Sequence, residues 1–314
     1  MRLLTIIITV FNQAKYIEEC INSMVDSFDD NNIIIIDDGS TDNSVNVIKQ
    51  LNIIYPFINC IFQKNKGVSQ ARNIALSFVT TPYVTFVDGD DCIEKGTYKN
   101  ILEIIDNDFD IIQFPICFNW ESHKEKIKSL NKEIYGKENF LRSLIVKELT
   151  YSCCNKIFKS KLLNEISFDV GVRYEDAFYL LSLSTYINKV LIIDQGLYLY
   201  RYNLDSFSLK RPDENKIVDF IKMSKQVLKI IKEYQLEQFY SIYFCIYTLI
   251  ELARFMNYFK IEKNIVSQFK VERLFSFNLY GKFPLNYKLF LIINCVFGIK
   301  LTLNILKYIH RLKK

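Results

Sequence analysis

Four short apolar runs rich in β-branched residues, Leu3–Val10, Asn32–Ile36, Asn59–Phe62 and Pro82–Val87, recur at roughly thirty-residue spacing. Each is short enough for a strand and nearly continuous in Ile, Val and Phe, the pattern of strands covered on both faces. Helical patterns lie between them. Ile17, Cys20, Ile21 and Met24 share one helix face, as do Ala71, Ile74, Ala75 and Phe78. Ser40 and Thr41, followed by Asp42, offer N-cap chemistry to a helix through Ile48 and Leu51. This alternation predicts an α/β fold with a parallel sheet and right-handed crossovers. In such sheets ligands bind beyond the carboxyl ends of the strands.

Those ends are polar. Thr9-Val-Phe-Asn12 follows the first run, Asp37-Asp38-Gly39-Ser40 the second and Asp88-Gly89-Asp90-Asp91 the fourth. Neither G-x-G-x-x-G nor G-x-x-x-x-G-K-[ST] occurs, which argues against a nicotinamide dehydrogenase and a P-loop NTPase. Carboxylates crowd the crevice instead, and carboxylates near a phosphate ligand need a metal between them. Side chains two apart in an extended chain point the same way, so Asp88 and Asp90 can converge on one cation. Hard oxygen ligands suit Mg²⁺ or Mn²⁺, which take further ligands from water and substrate phosphates. The competing reading is a solvated turn after a strand, since Asp and Gly favour turns.

Composition narrows the class. Half of the 314 residues are hydrophobic and 24% are charged, which supports a sizeable core and excludes a disordered chain. Two histidines, His123 and His310, leave little material for a histidine-based zinc site. The eight cysteines form no C-x-x-C, and the adjacent Cys153 and Cys154 do not suit a disulfide framework. They read as small buried hydrophobes in a reducing compartment. The N-terminal apolar run breaks into Asn12-Gln13 with no small-residue cleavage site, so it reads as a strand and the protein as cytoplasmic.

The sequence resembles family 2 glycosyltransferases, inverting enzymes with a GT-A nucleotide-sugar-binding fold. Ile6-Ile-Ile-Thr-Val-Phe-Asn12, Ile35-Ile-Asp-Asp-Gly-Ser-Thr-Asp-Asn-Ser44, Asn65-Lys-Gly-Val-Ser-Gln-Ala-Arg-Asn73, Phe86-Val-Asp-Gly-Asp-Asp91 and Tyr174-Glu-Asp176 carry the resemblance in the family's order, followed by Tyr200-Arg201 and Asp205-Ser206. The resemblance implies a Rossmann-like, mostly parallel GT-A domain over 1–212. Its nucleotide-sugar half would cover 1–115, its acceptor and base half 116–212, and a helical region 213–314 would follow.

It also implies roles. Thr9, Phe11 and Asp38 would line a uracil pocket, with Asn12 and Asp91 also at the UDP-sugar. Arg72 would help hold the nucleotide. Asp88 would face the ribose or the metal and Asp90 the metal, Mn²⁺ or Mg²⁺. Asp176, beside Glu175, would be the catalytic base, and Arg201 and Ser206 would close over the diphosphate. The departures are Thr9 for Pro, Gly89 where Ser is usual, and Ala177-Phe-Tyr after the acidic pair.

The chemistry suits these residue types. Breaking the anomeric C–O bond of a nucleotide sugar leaves a diphosphate of growing charge, which a cation stabilises as a Lewis acid. Arg72 and Arg201 could add charge-assisted hydrogen bonds. The acceptor hydroxyl would lose its proton to Asp176, the base the resemblance implies, help worth about 10²–10⁴-fold. One in-line displacement turns an α-linked donor into a β-linked product. Glu175 and Asp176 also read as the acidic first turn of a helix through Phe178, Leu181, Leu183 and Tyr186. Lys156 could reach the active site but reads better as a solvated lysine, and the segment 119–137 reads as a polar loop.

Charge is uneven. Net charge is +5, yet Arg273, Lys282, Lys288, Lys300, Lys307, Arg311, Lys313 and Lys314 all follow the last acidic residue, Glu272. Lys300, Asn304, Lys307, Arg311 and Lys314 form one polar stripe of a helix otherwise rich in Ile and Leu. Such a helix either packs on the catalytic domain or lies on an anionic membrane. The apolar block Leu289–Ile299 is too short to span a bilayer, and no nucleic-acid recognition motif accompanies the charge. The function expected is metal-dependent transfer of a hexose (galactose, glucose or N-acetylhexosamine) from a UDP-sugar to a saccharide acceptor. The setting would be bacterial surface polysaccharide synthesis, with a lipid-linked acceptor on the inner face of the membrane. The alternatives are an Asp–metal nucleotidyl- or phosphotransferase, a receiver-like signalling domain and a catalytically inactive glycan- or nucleotide-binding partner subunit.

Overall fold

The computed structural model describes residues 3–27, 31–104, 108–118, 125–127, 131–163, 165–203, 212–259, 261, 263–269 and 282–312. The chain divides into two compact units: Met1–Leu144 with Glu148–Leu209, and Ile145–Lys147 with Lys210–Lys314.

In the first unit the four apolar runs become strands β1 (Leu4–Val10), β2 (Asn31–Asp37), β3 (Asn59–Phe62) and β4 (Tyr83–Asp88). They pair in parallel in the order β3-β2-β1-β4. All of β1 is buried, as its unbroken apolar run requires. Helices α1 (Ile17–Asn22), α2 (Ser44–Ile54) and α3 (Val68–Leu76) make the crossovers. Met24 and Phe78 fall just beyond α1 and α3; Met24 is buried and Phe78 exposed. The start of α2 differs from the expected cap. Its N-cap is Asn43, and Asp42 alone of the three residues acts locally, accepting from the Ser44 N–H at 2.9 Å.

The sheet continues through elements without a clear periodicity. After β5 (Cys92–Ile93) and α4 (Thr97–Ile104) come β6 (Ile111–Gln113), β7 (Ile116–Phe118), β8 (Glu125–Ile127), β9 (Lys132–Tyr135), α5 (Lys137–Ile145) and β10 (Lys156–Lys159). Then follow α6 (Ser160–Leu163), α7 (Glu175–Leu183), β11 (Lys189–Ile192) and β12 (Tyr198–Tyr200). The large sheet runs β3-β2-β1-β4-β10-β6-β11-β9, with β10 antiparallel to both neighbours, and a smaller sheet runs β5-β12-β7-β8. The described parts of 119–137 thus hold two short strands rather than only a loop. His123 lies outside the described residues.

The second unit is helical: α8 (Glu214–Glu233), α9 (Gln238–Phe255), α10 (Lys263–Ser267) and α11 (Leu285–Leu312). Asp213 caps α8, accepting from the Lys216 N–H at 2.9 Å. Tyr243 of α9 packs against Tyr287 of α11, ring centroids 4.6 Å apart.

Candidate active site

The carboxyl ends of β1, β2 and β4 are tied together by their own polar residues. Thr9 Oγ1 donates to Asp88 Oδ1 at 3.3 Å across adjacent strands. Asn12, with φ of 56°, turns the chain after β1; its Oδ1 accepts from the Thr41 N–H at 2.8 Å and its own N–H donates to Ser40 Oγ. Asn12 and Ser40 are therefore a staple between two loops. Phe11 is exposed, its ring uncovered at the end of β1.

Asp38 does not present an uncommitted carboxylate. It is buried and accepts from Gln63 Nε2 at 2.6 Å and from the Lys66 and Gly67 N–H groups, each at 2.8 Å. It thereby fastens the segment that leads into α3. Asp37 does the same work inside its own turn, accepting from Gly39 and Ser40. Gly39 is obligatory there: its φ is 74°, and a Cβ would stand 2.5 Å from the Asn65 nitrogen.

Asp88 ends β4, and the chain then turns, with the Asp91 N–H on the Asp88 carbonyl at 2.9 Å. Asp88 and Asp90 are thus neighbours through a turn, not through an extended strand. Gly89 lies close under β1, and a Cβ there would meet Thr9 O at 3.1 Å. Burial and the nearby negative charge of Asp88 hold the Asp90 carboxyl above the usual range, against hydrogen bonds from Asn203 and Gln13.

Asp91 is committed to the fold around it. Its carboxylate is buried and accepts from Tyr198 Oη at 2.6 Å and from the Arg201 N–H at 2.8 Å, so it anchors the turn to β12. Tyr198 Oη also accepts from the Asp88 N–H at 3.2 Å. Arg201, too, is spent on support: its Nε donates to Asp90 O at 2.8 Å and its Nη2 to Glu19 at 2.5 Å. Only 5% exposed, that guanidinium braces the aspartate turn from beyond β12. Ser206 lies outside the described residues.

Arg72 is the other surprise. On α3 it is 2% exposed, with Nη1 on Asp176 Oδ1 at 2.6 Å, Nη2 on Asp88 Oδ1 at 3.3 Å and Glu175 3.7 Å away. Its guanidinium carbon stands 5.5 and 5.3 Å from the ring centroids of Phe86 and Phe168, which pack edge to face on each other. Asn73 fixes Phe168 by exchanging two hydrogen bonds with its backbone, at 2.9 and 2.8 Å. Arg72 therefore joins the base candidate to the metal candidate, its guanidinium against three carboxylates. Carboxylates this close offset the cost of burying the cation.

Glu175 and Asp176 open α7, and Tyr174 before them is left-handed at φ 62°. Asp176 Oδ2 accepts from the Cys153 N–H at 2.8 Å. Burial first, and the charge of Asp176 next, push Glu175 up to about 7 against the pull of Arg72. Next to Cys153, Cys154 Sγ donates to Asp88 Oδ2 at 3.5 Å. Lys156, expected in solvent, is wholly buried with its ammonium on the Thr150 and Ser152 carbonyls at 2.8 and 2.6 Å.

A divalent cation fits this donor set. Asp88, whose side chain is 36% exposed, and the charge-strained Asp90 are hard oxygen donors side by side. Among the described residues no group of three or more His, Cys, Asp or Glu is disposed to hold a metal. Two carboxylates suit a cation that draws its other ligands from phosphate and water. Sequence reasoning missed Gln13, Tyr198, Asn203, Cys153 and Cys154, none of which belongs to a recognisable motif.

Comparison with known proteins bears on family and fold. Residues 5–167 match the family model described as glycosyl transferase family 2. Glycosyltransferase GlyA of Streptococcus pneumoniae is 30% identical over 220 residues, covering 65% of this chain and 31% of that protein. The chain thus spans about a third of this relative's length. The crystal structure of S. aureus TarS 1-349 in complex with UDP-GlcNAc superposes with a TM-score of 0.64 at 19% identity, covering 100% of this chain and 93% of that one. Mannosyltransferase PcManGT from Pyrobaculum calidifontis, in complex with GDP-Man and Mn²⁺, gives 0.53 at 13% identity over 98% of this chain and 88% of that one. These two likenesses show the fold: mixed α/β of the GT-A kind.

Proposed function

The chain belongs to glycosyl transferase family 2, and from that premise we propose that it is a metal-dependent inverting glycosyltransferase. It moves a hexose from a UDP-sugar to a hydroxyl of a saccharide acceptor. The observation that carries this reading is the single guanidinium of Arg72, which ties Asp176 to Asp88 and so puts a proton acceptor and a metal-binding carboxylate in one crevice. The UDP-GlcNAc held by TarS supports a UDP-sugar donor, and the Mn²⁺ of PcManGT supports a cation on Asp88 and Asp90.

In the reaction the acceptor oxygen attacks the anomeric carbon while the bond from that carbon to the diphosphate oxygen breaks. Asp176 takes the hydroxyl proton, and Arg72 and the Cys153 N–H, one on each oxygen, fix the plane of its carboxylate. Held by Asp88 and Asp90, a divalent cation would supply Lewis-acid compensation for the leaving diphosphate. Tyr198, Arg201 and Asn203 hold the turn that carries those carboxylates. Attack opposite the leaving group inverts the centre.

We assign the acceptor to the lipid-linked saccharides of surface polysaccharide synthesis, met at the cytoplasmic face of the membrane. Support comes from α11, which has no acidic residue and exposes Leu285, Leu289 and Ile292 at helical spacing. No helix among the described residues is long and apolar enough to cross a membrane.

The test is UDP release across a panel of UDP-sugars, with and without Mn²⁺, beside Asp90→Ala. Metal-dependent release from one sugar, lost in the variant, is the expected result. No binding of any nucleotide sugar would overturn the reading in favour of an inactive partner subunit. Normal activity of Asp176→Asn would point to a nucleotidyl- or phosphotransferase.

A further inference from the structure

Lys156 has no place in the proposed chemistry, yet it is a fully buried cation beside it. It is 0% exposed, and among the described residues no carboxylate forms an ion pair with it. Four oxygens surround its ammonium instead: Thr150 O and Oγ1 at 2.8 Å each, Ser152 O at 2.6 Å and Asn155 Oδ1 at 3.3 Å. Burial pushes its pKa down to about 8, the mark of a charge that gains less here than it would in water. An apolar side chain of the same length would avoid that cost.

What the charge achieves is a backbone shape. Two carbonyls two residues apart, of Thr150 and Ser152, are drawn onto one ammonium. Outside pins keep the segment in place: Thr150 N–H donates to Gln113 Oε1 at 2.8 Å, and Asn155 Nδ2 to Phe114 O at 2.8 Å. The segment so held carries the Cys153 N–H that meets Asp176 Oδ2 and the Cys154 thiol that meets Asp88 Oδ2.

We propose that Lys156 is a positioning residue for sugar transfer, folding Thr150–Cys154 so that the Cys153 amide orients the Asp176 carboxylate toward the acceptor. This rests on the reading of Asp176 as the base. Lys156 touches no reacting atom; it acts through the peptide N–H. Arg72 fixes one oxygen of Asp176 and the Cys153 amide the other, so loss of the second lets the carboxylate swing about the first.

The experiment uses the full chain labelled with ¹⁵N-cysteine, the Cys153 amide signal being assigned by Cys153→Ser. In Lys156→Met that signal moves or broadens while those of Cys117 and Cys245 stay. In the same variant kcat for transfer falls at least 10-fold and KM for the UDP-sugar changes less than threefold. Thr150→Val keeps the lysine but removes one acceptor, and shifts both readouts the same way by less. An unmoved Cys153 signal or an unchanged kcat overturns the proposal. Should Lys156→Met fail to fold, as seen by circular dichroism, Thr150→Val decides by the same two readouts. Failure of the base reading has a separate signature: Asp176→Asn keeps full kcat although the amide signal still moves in Lys156→Met.

Discussion

Arg72 Nη1 lies 2.6 Å from Asp176 Oδ1 across 104 positions of sequence, while its Nη2 reaches Asp88 at 3.3 Å. One buried guanidinium sets the spacing of two carboxylates that the chemistry must use together. A lysine has a single point charge and cannot bridge both. Arg72→Lys is therefore expected to fold with a lowered melting temperature and to lose about 10²-fold in kcat. Arg72→Met leaves Asp88, Asp176 and Glu175 uncompensated and should cost about 3–5 kcal/mol of stability. Thermal melts beside UDP-release assays check both. Wild-type activity in Arg72→Lys would mean that the bridge has no catalytic part.

Asp90 and Asp91 are adjacent, yet they should respond in opposite ways. Asp90 is held against burial and against the charge of Asp88, so Asp90→Asn should raise the melting temperature while abolishing metal-stimulated UDP release. The Asp91 carboxyl is pushed up by burial and by the charges of Asp88 and Asp90, but it receives Tyr198 Oη and the Arg201 N–H, so Asp91→Ala strands two donors. That should cost about 2–4 kcal/mol. Equal effects of the two substitutions on stability would contradict the division between metal ligand and turn anchor.

Much of this was legible in the sequence because it is local. β-branched runs announced the four parallel strands, and the placing of Asp88-Gly89-Asp90 after one of them announced the crevice. The destinations of long side chains were not legible. Nothing near Arg72 in sequence says that Asp176 is its partner, and nothing near Lys156 distinguishes a buried ammonium from a solvated one. The second is decided by β10, a short antiparallel strand inserted between β4 and β6 that begins with Lys156, and the first by the meeting of α3 with the start of α7. Asp38 and Asp91 were opaque for another reason: their carboxylates accept from the Gln63 amide, backbone N–H groups and a tyrosine hydroxyl that only the folded chain brings near.

Glu175 gives a pH dependence with a definite sign. Its carboxyl rises from 4.5 to about 7 in the folded chain, so between those values the folded state holds a proton that the unfolded state has lost. Stability from this group is full below 4.5 and declines as pH rises through 7. Glu175→Gln should flatten that part of the curve and stabilise the protein at pH 8 relative to wild type. Urea melts from pH 4.5 to 8 measure it, and an identical pH slope in the variant would refute the assignment.

The helix α11 supplies the last test. Leu285, Leu289 and Ile292 are exposed at spacings of four and three, while Tyr287 and Phe290 are buried and Tyr287 packs on Tyr243 of α9. One apolar face is therefore satisfied within the helical unit and a second faces outward. On the expected polar stripe, Lys300, Asn304, Lys307 and Arg311 belong to α11, and Lys314 lies outside the described residues. An outward apolar face beside lysines binds anionic lipid by insertion and by charge, at about 1 kcal/mol for each lysine near the surface. The full chain should sediment with phosphatidylglycerol vesicles at low salt and not with neutral vesicles. Lys300→Glu with Lys307→Glu should weaken that binding by at least 10-fold and leave UDP release from a soluble donor unchanged. Binding that is indifferent to those two charges and to salt would assign the basic stripe to solvation alone.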